Sequence, residues 1–243
     1  MALREEFERS GNWLFQRRSF LPLLMILIII PGFIAKSYLY GSYKQNLFWV
    51  LFCLLVSFFG LAIRIYTIGH IYSGTSGRNT REQVAKRLNS TGIYSIVRHP
   101  LYLGNFFIWL GISLYVREWW ITLLLVLIFW LYYERIMFAE EQFLRVKFGV
   151  DFDKWAEKTP AFIPNFRKWK PAICPFSVNR VLKREYSGFF AIIVSFVILE
   201  ILGKLIIERK FGIDPMWVVI FIFGLVIYLF LRILKKKIES IKF

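Results

Sequence analysis

Cysteine and histidine are nearly absent from this chain, with two of each in 243 residues. Cys53 lies inside an apolar block and Cys174 in a basic loop, two opposed environments, so no disulfide is expected. No metal site is expected either. Acidic residues are scarce, 16 Asp plus Glu against 32 Lys plus Arg, and the formal net charge is +16. The first eighteen residues carry both signs of charge, and no small-residue cleavage site follows the first apolar block, so a removable signal peptide is not expected. Inverted repeats and polar clusters at mid-span are also missing. Glu200 and Lys204 read as a plain i,i+4 helical pair, which weighs against a small transporter, the non-enzyme alternative.

What fills the chain instead is hydrocarbon. Hydrophobic residues make up 57% and aromatics 19%, and the mean hydropathy is +0.53. They gather in blocks near the roughly 20 residues a bilayer-crossing helix needs. These blocks are Phe20 to Tyr40, Leu47 to Ile68, Leu101 to Val116, Trp119 to Phe138, Phe189 to Ile207 and Pro215 to Leu234. The first contains Pro31-Gly32 and should kink, with Lys36 snorkelling toward headgroups; the third is short for a span. Short connections pair the blocks into three hairpins. The fold expected is an all-α polytopic integral membrane protein of about six transmembrane helices.

Basic residues cluster at the N-terminus, in the 69–99 loop, after the fourth block and at Lys235-Lys236-Lys237, all on one side of such a topology. The positive-inside rule puts that side, and both termini, in the cytoplasm. The charge excess is thereby explained by anionic lipid, and no nucleic acid partner is expected. Three regions follow: an N-terminal hairpin (1–68), a core with a polar loop, two spans and an amphipathic segment (69–167), and a basic connector with a C-terminal hairpin (168–243). Within the core, Thr80 to Leu88 reads as a short helix capped by Thr80, and Ala139 to Lys158 as interfacial helix broken at Gly149.

The polar residues with chemical potential sit at the mouths of the third and fourth blocks. Tyr94 and the run Arg98-His99-Pro100-Leu101-Tyr102-Leu103-Gly104-Asn105 lead from the loop into the third span. Pro100 suits the first helical position, and Arg98 and His99 precede it beside the positive end of the helix dipole, where an anion is welcome. Taken singly, Arg98 reads as a snorkelling charge and Tyr102 as an interfacial aromatic; their combination with His99, Gly104 and Asn105 is less ordinary. After the fourth span come Glu134-Arg135 and Glu140-Glu141, either a solvated amphipathic face or a pair with one carboxylate turned inward.

In order and spacing, Arg98 to Gly104, Glu140-Glu141, Phe148-Gly149 with Phe152 and Trp155, and Pro160 to Pro164 resemble the core of the isoprenylcysteine carboxyl methyltransferase and phospholipid methyltransferase superfamily, over about Thr91 to Asn165. Where the family pattern often has Tyr, this chain has Phe152 and Trp155. The resemblance implies an S-adenosylmethionine pocket at the cytoplasmic membrane face. Its cofactor-binding set would be Tyr94, Arg98, His99, Pro100, Tyr102, Gly104, Asn105, Glu140, Glu141, Phe148, Phe162 and Pro164, with Arg98, Arg135, Glu140 and Glu141 as candidates for catalysis. The loop before the core, with Arg78, Asn79 and Arg81, has a phosphate-friendly composition and would hold the headgroup of a membrane lipid substrate. The wording of that loop and of Thr91 to Ser95 is most similar to the bacterial branch that methylates lipid A phosphate, which implies a bacterial inner membrane. Prenylcysteine carboxyl methylation and phosphatidylethanolamine N-methylation are the alternatives within the superfamily.

Overall fold

The computed structural model describes residues 2–18, 24–40, 46–72 and 83–240. Apart from isolated bridge residues, among them the pair Gly92 and Lys170, the regular structure of the described residues is helical. The helices are α1 (Leu3–Arg17), α2 (Met25–Tyr40), α3 (Leu47–Gly69), α4 (Pro100–Leu114), α5 (Trp119–Phe148), α6 (Val150–Lys158), α7 (Val178–Gly203, prolonged by a π turn at Lys204–Glu208) and α8 (Pro215–Ser240). Four of them, α3, α5, α7 and α8, are long and apolar enough to cross a membrane; α2 and α4 are apolar but shorter. The polytopic all-helical expectation therefore stands, with six apolar helices of which four have spanning length.

The closest packing joins α3 to α4, and glycine makes it possible. A Cβ on Gly60 would fall 2.4 Å from the Gly104 carbonyl oxygen, one on Gly104 would fall 2.7 Å from the Gly60 carbonyl oxygen, and one on Gly111 would fall 2.4 Å from the Cys53 carbonyl oxygen. Lipid tails are as apolar as leucine, so helices in a bilayer associate through such close backbone approach. The first hairpin is less intimate than its short connection suggests: α2 rests chiefly on the π turn after α7 and on α5. Its helix continues through Pro31, Gly32 sits against Ile121 and Val116, and Lys36 is buried instead of snorkelling outward.

Three other elements differ from expectation. The chain before the first block forms α1, which lies along α5; Gly11 faces the Arg135 carbonyl oxygen with no room for a Cβ. Residues 83–88 are not helical, and Thr80 lies outside the described residues. The stretch from Ala139 does not start an interfacial helix, because α5 runs unbroken for 30 residues to Phe148. At 1.5 Å per residue that is about 45 Å, longer than the ~30 Å hydrocarbon core, so the helix has several turns more than an upright span needs. Gly149, at φ +54°, then reverses the chain into α6. The basic connector is shorter than expected, since Ser177 caps α7 from Val178.

At the opposite end of the bundle, Glu200 is more than an i,i+4 partner. It is fully buried, accepts a hydrogen bond of 2.8 Å from the Tyr115 hydroxyl and pairs with Lys204, which also meets Asp214.

Candidate active site

Pro100 opens α4, and the Tyr102 and Leu103 amides close its first turn on the His99 carbonyl. His99 is thus the N-cap residue, but its side chain does not cap, leaving both ring nitrogens for other partners. The backbone donors of Arg98 and His99 are not open to an anion: they bond the carbonyls of Pro160 and Ala161, at 2.9 and 3.2 Å, and the Asn165 amide returns a bond to Ile96. The doubly proline-stopped segment 160–164 is therefore a strap. Its carbonyls satisfy the amides that lead into α4 and so fix where Arg98 and His99 project.

The projecting length of α5 brings Glu140 and Glu141 to this mouth. Both turn toward α4, in place of one inward and one outward. His99 Nε2 lies 2.9 Å from Glu141 Oε1 and Nδ1 3.7 Å from Glu140 Oε2. Arg98 Nε is 2.9 Å from Glu141 Oε1, while its Nη1 donates to the Ala156 carbonyl at 2.8 Å. Tyr102 donates to Glu140 at 2.7 Å, and Arg18, from the end of α1, reaches both the Tyr102 hydroxyl (3.3 Å) and Glu140 (3.4 Å). Burial works against charge on the His99 imidazole, but its bonds to the two glutamates prevail and hold its pKa above the ordinary value. Arg18, Arg98 and His99 thus face the two carboxylates of the clasp.

A cleft opens over this clasp. Its walls include Arg18, Tyr94, Arg98, His99, Tyr102 and Glu140, together with Gln83, Arg87, Asn89 and Trp155. Glu141 does not line it: Glu140 is the carboxylate in the cleft, and Glu141 is the one that holds His99 and Arg98 from behind. Burial, reinforced by the charge of Glu140, pushes the Tyr94 phenol above its ordinary range, so it remains a neutral hydroxyl. Gln83 donates to Asn12 of α1, and its buried Oε1 has no hydrogen-bond partner among the described residues. A wall acceptor left over in this way, beside two arginines and a carboxylate, suits a ligand that carries both an ammonium and a carboxylate.

A family model described as phospholipid methyltransferase matches residues 49–151, from α3 to the start of α6. The protein-S-isoprenylcysteine O-methyltransferase of Schizosaccharomyces pombe is 38% identical over 78 residues, 32% of this chain and 33% of that protein. Its Saccharomyces cerevisiae counterpart is 28% identical over 146 residues, 59% of each. Over this central part the chain is similar to the isoprenylcysteine and phospholipid methyltransferases. A longer match within these comparisons is to the cobalt-zinc-cadmium resistance protein CzcN of Cupriavidus metallidurans, 28% identical over 185 residues, 73% of this chain and 82% of that one. The two yeast enzymes are covered over less than two thirds of their length. No solved structure matches.

The structure gathers Tyr94, Arg98, His99, Pro100, Tyr102 and Glu140 around one cleft, with Glu141 behind them. The other expected residues lie elsewhere. Gly104 gives close approach to α3, and Asn105 belongs to a polar group one turn deeper, between Arg64 (2.6 Å) and the Tyr133 hydroxyl (3.0 Å). Phe162 packs edge-on against Phe106 and Trp130, Pro164 lines a separate hollow, and Phe148 ends α5 away from the cleft. Arg135 braces α1, donating to Ser10 at 3.0 Å and covering the Phe7 ring. Arg78, Asn79 and Arg81 lie outside the described residues.

Sequence reasoning missed Arg18, Gln83, Arg64 and Glu185. The last two form a forked ion pair of 2.6 and 3.0 Å that ties α7 to the floor under the clasp. Arg64 stands five residues from the end of α3, about 7 Å at helical rise, so this polar group sits near the mouth and not at mid-membrane.

Proposed function

We propose that this chain is an S-adenosylmethionine-dependent methyltransferase that methylates an anionic oxygen on a membrane-borne acceptor at the cytoplasmic face. When bound, the cofactor supplies an electrophilic methyl group whose departure from sulfur needs no acid. Arg18 and Arg98 would hold its carboxylate, and Glu140, with the Gln83 oxygen that has no partner among the described residues, its ammonium or ribose hydroxyls. The strap and the buried His99–Glu141 bond keep these groups in place, and positioning is the larger part of such a transfer. Orientation follows from charge: Arg18, the 83–99 loop and the start of α7 gather at the clasp, and Lys235 near the end of α8 lies over the Tyr186 ring beside Glu185.

The observation that carries the choice of acceptor is that neither carboxylate is a spare base. Glu140 accepts from Tyr102 and Arg18, and Glu141 is held by His99 and Arg98. An ammonium acceptor would first have to lose a proton to such a base, whereas a phosphate or carboxylate arrives deprotonated. This supports O-methylation over N-methylation. A lipid phosphate, as in lipid A, suits a cleft lined by Arg18 and Arg98; a prenylcysteine carboxylate suits it equally, and relatives named as isoprenylcysteine O-methyltransferases favour it.

The test is purified protein with methyl-labelled cofactor and, in turn, lipid A, phosphatidylethanolamine and a prenylcysteine. A phosphomethyl ester, an N-methyl amine and a base-labile carboxyl ester differ in their hydrolysis. Label in an ester supports the proposal, and label found only in an N-methyl amine removes it.

A further inference from the structure

Beside the cleft is a second, open hollow of about 690 Å³, and among the described residues Arg98 alone lines both. Its rim carries Lys158, Arg167 and Lys168, against a single carboxylate, Glu157. All three cations are exposed, and the Lys168 ammonium donates to the Lys158 carbonyl, closing the rim. The floor is Thr159, Pro160, Pro164 and Asn165, part of the strap that fixes Arg98. Three exposed cations on one concavity, with one acid among them, make a site for an anion with several acceptor oxygens.

The neighbours of the hollow say where such an anion comes from. Ile163 and Phe166 line it, yet they are 79% and 74% exposed. The same segment goes on to present Trp169, Ile173 and Phe176 to the surroundings, interleaved with Lys170. Large apolar side chains alternating with cations at the polar end of a membrane bundle match the headgroup layer: the apolar groups enter the acyl boundary while the cations meet anionic lipid. We propose that this hollow binds the phosphate-bearing headgroup of an anionic phospholipid, with Ile163 and Phe166 against its upper acyl chains. This lipid is distinct from the methyl acceptor, because the hollow and the cleft meet only at Arg98. The inference does not depend on the methyl-transfer reading.

The experiment is native mass spectrometry of the full chain released from micelles that contain equal phosphatidylglycerol and phosphatidylcholine, comparing wild type with the triple variant K158Q/R167Q/K168Q. All three positions are exposed, so folding should survive, which circular dichroism and the thermal midpoint would verify. Should the triple variant nonetheless unfold, the three single variants replace it. Wild type should retain phosphatidylglycerol in preference to phosphatidylcholine, and the variant should lose about fivefold or more of that preference. An unchanged preference in the folded variant, or no preference in wild type, overturns the site. Displacement of the retained lipid by equimolar glycerol phosphate would assign the hollow to a soluble phosphate and overturn the lipid assignment.

Discussion

Tyr102 and Glu140, 38 residues apart and on different helices, are joined by a hydroxyl-to-carboxylate hydrogen bond of 2.7 Å. That bond turns Glu140 into the cleft and keeps it from Arg18 alone. Hydrogen bonds to charged groups contribute about 1.5–3 kcal/mol. With Arg18 still in place, Tyr102→Phe should weaken binding of S-adenosylhomocysteine by about tenfold while leaving the fold intact, as measured by calorimetry in detergent.

His99 gives a pH dependence with a definite sign. Its folded pKa lies above the ordinary value of about 6.5, so the stability it adds is fully present below that pH and is lost as pH rises through the folded pKa. The thermal midpoint of the wild type should fall over that alkaline-going window. His99→Asn, which cannot take up the proton, should have a flatter profile there, and equal slopes for the two proteins would refute the assignment.

The α3–α4 contact makes a steric prediction. Gly60→Ala sets a methyl 2.4 Å from the Gly104 carbonyl oxygen, where both partners are backbone and neither can rotate away. Overpacking of this kind costs about 1–3 kcal/mol. Gly212→Ala, whose nearest neighbour is the flexible Lys204 side chain at 3.9 Å, should be nearly silent in the same thermal assay.

Glu185 is buried and forked onto Arg64, so removing one partner strands the other. Glu185→Leu should cost about 3–5 kcal/mol. The double variant R64M/E185L should cost clearly less than the sum of the two single changes, a non-additivity that a double-mutant cycle in denaturant reads directly.

How legible the site was depended on distance along the chain. Arg98, His99, Pro100 and Tyr102 are consecutive or one turn apart, and Glu140-Glu141 are adjacent, so each half of the clasp forms a compact local signal. Arg18 was not legible in this way. α1 is a charged amphipathic segment whose docking on α5 depends on Gly11 and Ser10, and nothing local marks those as contact positions. Glu185 hid inside a run of basic residues, although Ser177 four residues before Val181 is a readable helix cap that would have brought α7 forward. Arg135 misled for the opposite reason: it neighbours Glu134 in sequence, but on a helix adjacent residues point about 100° apart, and it faces α1.

The strap was recognised by its prolines, but its role was not. Composition says that Pro160 and Pro164 stop a helix; only tertiary structure shows the Pro160 and Ala161 carbonyls occupying the amides of Arg98 and His99.

The central claim is that the clasp at the mouths of α4 and α5 binds the methyl donor, and the most direct measurement is calorimetry of S-adenosylhomocysteine with the purified full chain in detergent. The account predicts saturable one-to-one binding that Glu140→Gln and Arg98→Met each abolish or weaken by more than tenfold, while Arg135→Gln leaves it unchanged. Absence of binding by folded wild type, or binding indifferent to Glu140 and Arg98, would contradict it.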